Sequence, residues 1–125
     1  MWFPLLGLLI GLIIGSIFTL HVPIIYAKYL SIAVLAALDS ILGGIRGLLE
    51  DSFDGTILLS GFFTNTLLAA MLAYLGDHLG VDLYLAAVIT FGFRLFNNLG
   101  FIRRDLINRY KLKKEQKRSA ADEID

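Results

Sequence analysis

The chain has 125 residues, 57% of them hydrophobic and 18% charged, with a mean hydropathy of +0.73 and no formal net charge. Ordinary soluble domains are about 45–50% apolar, and a fold this small cannot hide so much apolar surface, so the composition favours a membrane protein. Without cysteine there are neither disulfides nor thiolate metal sites, and the charge pattern is not the basic footprint of a nucleic-acid-binding domain.

Four apolar runs follow one another, each near the ~20 residues that cross the hydrocarbon core. The first, residues 2–20, carries no charge, and Pro4 falls in its first turn, where a missing N–H does no harm. It lacks the basic start, short apolar core and small-residue cleavage site of a signal peptide, so it reads as a retained span. HVPIIYAK reads as a connection punctuated by Pro23, before a second span over residues 29–49. The acidic turn EDSFDG leads to a third span over 56–75, and GDHLGVD to a fourth over 83–102. Glycines 43, 44 and 47 make the inner end of span two the one candidate for a re-entrant segment. Residues 103–125 form a basic tail with an acidic tip, the basic part continuing as helix or lying on the surface and SAADEID frayed.

Backbone groups in lipid must be satisfied internally, and long runs without alternation exclude a barrel. The expected fold is therefore all-α: a bundle of four transmembrane helices, residues 1–102, with a short cytoplasmic tail. Arg103, Arg104, Arg109, Lys111, Lys113 and Lys114 lie close to span four and place the C-terminus in the cytoplasm. With four spans the N-terminus is cytoplasmic too, and Lys28 on the outer side is a small dissent. The same basic residues form a lipid- or partner-facing surface, each worth about 1 kcal/mol beside anionic lipid.

Charges inside the spans carry the chemistry. Asp39 falls at the middle of span two and Arg94 near the middle of span four, with Asn65 at similar depth in span three. An ionisable group at mid-bilayer costs about 2.5–3.5 kcal/mol unless it faces other helices, water or a partner. An intramembrane polar layer is expected: Asp39 paired with Arg94, and Asn65, Asn97 and Asn98 supplying hydrogen bonds. Arg46 and Glu50, four apart, form a pair at the inner end. Three uses are open to such a layer: a pin for helix register, a conduction path, or a docking site for a partner helix. Ser60, Thr64 and Thr66 read as backbone-bonded or interhelical glue.

Gly7, Gly11 and Gly15 repeat every fourth residue in span one, and Gly43 and Gly47 do so in span two. Such spacing lets helices approach closely. The first stripe serves either an oligomer interface or a groove within the chain. His78 with Asp77 and Asp82 reads as a solvated turn, not a metal site. No nucleophile–base set, phosphate loop or zinc motif is present, so neither an enzyme nor a bound cofactor or metal is expected.

The blocks ALDSILGGIR, SGFFTN and LGVDLYLAAVITFGFRLFNN, taken together, resemble the bacterial small basic protein family over about residues 4–104. The matching positions are Asp39, Ser40, Gly43, Gly44, Arg46, Asn65, Gly92, Arg94 and Asn98. The resemblance implies a multi-pass protein of the bacterial inner membrane, encoded near cell-division genes, with no established activity and no catalytic residues to carry over. One departure is plain: eleven basic residues stand against eight acidic ones through Arg118, and the acidic tip cancels the excess. The expected role is a self-associating scaffold that binds a membrane or cytosolic division or envelope protein. A small oligomeric ion or proton channel, or a transporter subunit, using Asp39 and Arg94 is the alternative.

Overall fold

The computed structural model describes residues 2–18 and 21–124, the side chain of Pro4 excepted. Four helices follow in order: α1 Trp2–Ile17, α2 Ile24–Leu49, α3 Gly55–Leu79 and α4 Tyr84–Ile124. Three of them, α2, α3 and α4, are long and apolar enough to cross a membrane. α1 has 16 residues, about 24 Å of helix, and is shorter than the others. The last two positions expected of the first span, Thr19 and Leu20, lie outside the described residues, as does Asp125 of the acidic tip.

Helix ends are set by local chemistry. Pro23, in extended backbone, stands at the start of α2, so the helix begins at Ile24 rather than at Tyr29. The apolar run Ile24–Ala27 has no reason to remain a loop once proline sits ahead of it. α2 runs without interruption to Leu49, so its glycines do not break it into a re-entrant segment. It closes with Asp51 in the left-handed region, φ 55°, and the Ser52 amide donating to the Gly47 carbonyl at 2.9 Å. Gly47 lies against the returning chain: a Cβ there would stand 3.4 Å from the Phe53 Cα, in van der Waals contact. Asp54 caps α3, its carboxylate accepting from the amides of Thr56 and Ile57 at 2.9 and 3.2 Å. α3 ends on Gly80 at φ 71°, with the Val81 amide donating to the Gly76 carbonyl at 3.0 Å.

α2 packs along α4 and along α3, whereas the α3–α4 seam is looser. α2 and α4 run parallel: Asp39 meets Arg94, Arg46 meets Asn98, and the Leu49 carbonyl meets Arg109. α3 is antiparallel to both. The core holds small residues, Ala36, Ala69, Ala73 and Ala87, with Ile32 and Phe91. Bulky apolar side chains point the other way: Leu67, Ile89, Phe93 and Phe96 are exposed. Small inside and large outside is the packing of helices whose solvent is hydrocarbon.

α1 stands apart. Every side chain described in it is exposed, and a Cβ at Gly7, Gly11 or Gly15 would meet nothing within 4 Å. The bundle within the chain is thus three helices, with Leu8 of α1 lining a hollow together with Leu38, Ile41 and Phe96. No other helix of the chain packs against the first glycine stripe among the described residues.

α4 is a single helix of 41 residues, about 61 Å long. The expected fraying of SAADEID is not found through Ile124. Lys111–Glu123 contains neither glycine nor proline and is rich in Lys, Glu, Gln, Arg and Ala, so propensity favours continuing the helix.

Gly76→Ala would drive its Cβ into the Val81 carbonyl oxygen and crowd the Leu83 amide. It should lower stability by about 1–3 kcal/mol in detergent unfolding, the usual cost of overpacking. Gly61→Ala, whose Cβ meets nothing within 4 Å, should be neutral or stabilising by up to about 1 kcal/mol. Equal losses at the two positions would contradict the close turn.

Candidate functional site

The middle of the bundle holds an ion pair. Arg94 Nη2 on α4 lies 3.2 Å from Asp39 Oδ2 on α2. The Asp39 side chain is 4% exposed and that of Arg94 is 49% exposed, so the carboxylate is sealed and the guanidinium stands at the bundle's edge. One turn further on Gly44 is buried, and Gly43 faces α4, where a Cβ would come 3.8 Å from Asn98 Nδ2.

A second cation follows at the inner end. Arg46 donates from Nη1 to Asn98 Oδ1 and from Nε to Glu50 Oε1, both at 3.3 Å, and lies 4.5 Å over the Phe101 ring. Asn98 therefore serves Arg46, not Asp39. A third cation, Arg109, donates to the Leu49 carbonyl at 3.0 Å and to Asp105 at 2.6 Å. It satisfies one of the orphan carbonyls at the end of α2. Arg94, Arg46 and Arg109 thus form a ladder from mid-bundle to the α2–α3 turn.

The expected layer is only partly assembled. Asn97 is exposed on α4, away from Asp39, because its neighbour Asn98 takes the inward direction and adjacent helical positions differ by ~100°. Asn65 lines the α3–α4 seam with Thr90 and Arg94, in a hollow of about 140 Å³. Asp39 Oδ1 and Thr66 Oγ1 are buried without a hydrogen-bond partner among the described residues. They lie at one level: Asp39 is eleven residues on from Lys28, and Thr66 eleven back from Asp77, with which Lys28 pairs. The Thr66 hydroxyl is therefore neither backbone-bonded nor bonded to another helix among the described residues, while Ser60 does bond back, to the Ile57 carbonyl at 3.1 Å.

A larger cavity of about 450 Å³ opens beside the α2–α3 turn. Asp39, Arg94, Arg46 and Asn98 line it on one side, and Asp54, Gly61 and Phe62 on the other. Its space comes from the glycines, which supply no side chains to fill it. The pairs Asp39–Arg94 and Arg46–Glu50 are each balanced, and Asp54 leaves the lining with one net negative charge.

Lys28 has a role that its place in an outer connection did not suggest. It lies within α2, 2.6 Å from Asp77 and 3.9 Å from Asp82, with the Tyr84 ring 5.0 Å from its ammonium. Two acidic residues in the turn opposite a lone cation were the signal. His78 Nδ1 meets the Tyr74 carbonyl at 3.0 Å, and no group of three metal-ligating side chains occurs among the described residues. Arg103, Arg104, Lys111, Lys113 and Lys114 are exposed along α4.

Residues 22–107, which include all of α2 and α3, match the family described as "Protein of unknown function (DUF1290)". The "Small basic protein" of Bacillus subtilis (strain 168) is 51% identical over 119 residues, 95% of this chain and 98% of the relative. The chain belongs to the small basic protein family. Family likeness extends to the mycobacteria: "Uncharacterized protein Mb1855" of Mycobacterium bovis and "Uncharacterized protein Rv1824" of Mycobacterium tuberculosis are each 41% identical over 102 residues. Those matches span 80% of this chain and 84% of each relative. No solved structure matches. The resemblance read from the sequence blocks is thus borne out, and the family match takes in Asp39, Arg46, Asn65, Arg94 and Asn98.

Breaking a buried pair by removing one partner costs about 3–5 kcal/mol, because the other charge is left alone. Arg94→Gln should approach that loss, and the Asp39→Asn/Arg94→Gln double variant should be less destabilised than the sum of the singles. A double-mutant cycle read by unfolding in lipid–detergent micelles should give a coupling of at least about 1 kcal/mol. Additive losses would show that the two groups do not act as a pair.

Proposed function

We propose that this protein is a non-enzymatic membrane scaffold of the bacterial cytoplasmic membrane. It self-associates and docks another envelope or division protein. The observation that carries the reading is how the intramembrane charges are spent: Asp39 on Arg94, and Arg46 on Glu50 and Asn98. Groups committed to each other hold helices in register and are poorly placed to pass an ion along. Beyond Asp39, toward the α3–α4 turn, the core is Ile32, Ala36, Ala69, Ala73, Ala87 and Phe91, which offers an ion no ligands. The link to division or envelope processes is part of this proposal and comes only from what the resemblance of the sequence blocks implies.

In this reading α1 also crosses the membrane as a fourth span, and the bilayer thins slightly around so short a helix. The basic residues on α4 keep the C-terminus in the cytoplasm, and the N-terminus lies on the same side. The α2–α3 turn and the larger cavity then face the cytoplasm. The exposed basic face from Arg103 to Lys114 meets anionic headgroups and the docked partner.

A second reading, an oligomeric channel or transporter subunit, is favoured by one observation: the cavity of about 450 Å³ ends at Asp39. Proteoliposomes separate the two. The scaffold reading expects no selective ion flux above protein-free vesicles, for wild type and Asp39→Asn alike, and energy transfer between labelled copies that survives lipid dilution. Selective flux abolished by Asp39→Asn would replace it with the channel reading.

A further inference from the structure

Arg94 is the least settled group in the fold. Asp39 Oδ2 takes one corner of its guanidinium, and no other side-chain or backbone acceptor among the described residues meets it. Half of the side chain is exposed, and the residue lines both the larger cavity and the open seam between α3 and α4. Acyl chains offer no acceptors, and ionisable groups at this depth face protein or water, not lipid. One helical turn along, on the same side of α4, the Asn97 carboxamide is exposed and also unpaired among the described residues. Thr90, on that face too, has its hydroxyl spent on the Ala86 carbonyl at 2.7 Å.

α1 cannot complete the site. The one polar side chain described in it, Ser16, bonds the Ile13 carbonyl at 2.8 Å, and Leu8 lines a hollow on the α2–α4 side of the bundle. A second copy can. Two α4 helices related by a two-fold axis along the membrane normal run parallel, and a two-fold interface is self-complementary. Arg94 of one copy then lies three residues, about 4.5 Å of rise, from Asn97 of the other. The guanidinium has donors to spare, the carboxamide oxygen accepts, and the exchange happens twice.

Resting on the self-association proposed above, we infer that the α4 face bearing Arg94 and Asn97 is a homodimer interface. Arg94 of each subunit donates to the partner's Asn97, which completes the shell of the Asp39–Arg94 pair. The site is half-built in one protomer and whole in two.

The absence of cysteine makes the test direct. The full chain, labelled through Ser119→Cys on the exposed tail, is reconstituted in phosphatidylglycerol–phosphatidylethanolamine vesicles, and dimer affinity is read by energy transfer on lipid dilution. Asn97→Leu should weaken the dimer about three- to twenty-fold, the span of measured membrane hydrogen bonds. Asn97→Asp, which puts a carboxylate beside the partner's Arg94, should tighten it. In separate single-cysteine chains, Asn97→Cys should cross-link between copies and Gly11→Cys on α1 should not. Asn97 is exposed, so these variants leave the packed core intact. Self-association with unchanged affinity in both variants, or cross-linking at Gly11 in place of Asn97, would overturn this interface and leave self-association standing. A wild type that shows no transfer even at high protein density would remove both.

Discussion

A charge placed midway along a long apolar helix has to be answered by protein, and most of this structure is arranged around that requirement. Hydrocarbon supplies neither counter-charge nor hydrogen bond, so the cost of Asp39 falls only through what α4 brings to it. The 3.2 Å contact with Arg94 needs α2 and α4 parallel and close. The parallel course needs α3 to carry the chain back between them. The antiparallel return is fixed at one end by Lys28 against Asp77 and at the other by the turn that caps α3 with Asp54. The connection between charge and topology is therefore mutual: the helices position the pair, and the pair penalises any slip of register.

The same solvent explains the inverted packing. With no hydrophobic force to drive bulky side chains inward, alanine and glycine occupy the contacts and leucine, isoleucine and phenylalanine face outward. Glycine leaves space as well as contact, and the larger cavity lies where Gly43, Gly44, Gly47 and Gly61 leave it. Arg46 extends the arrangement toward the surface, flanked by Asn98, Glu50 and Phe101, and Arg109 closes the end of α2. Each step down the ladder moves a cation nearer to the α2–α3 turn, and the sealed carboxylate of Asp39 gives way to the more exposed ones of Glu50 and Asp105.

Much of this was legible in the residues. Uncharged runs mark where helices lie, and equal depth along three runs points at Asp39, Arg94 and Asn65. What stayed hidden has physical causes. The start of α2 was obscured because Pro23 followed by an apolar tetrapeptide reads as a loop, although proline ahead of a first turn is compatible with helix. Neighbouring Asn97 and Asn98 could not be told apart, since the inward direction of α4 depends on which helices it meets. Charge density in the tail suggested fraying, yet intrinsic propensity carries α4 to Ile124. The glycine stripe of α1 shows that spacing announces a capacity for contact and not the partner. Thr66 was invisible as anything beyond glue, because its level with Asp39 follows from the Lys28–Asp77 register, a long-range fact.

The central claim is that the carboxylate of Asp39 and the guanidinium of Arg94 remain in contact with lipid around the fold. Solid-state nuclear magnetic resonance on bilayer-embedded protein, with 13C at the Asp39 carboxyl and 15N in the Arg94 guanidinium, measures that contact directly. A dipolar coupling consistent with a 3.2 Å nitrogen–oxygen approach is the predicted result. An absent coupling, with both groups ordered and apart, would contradict the account.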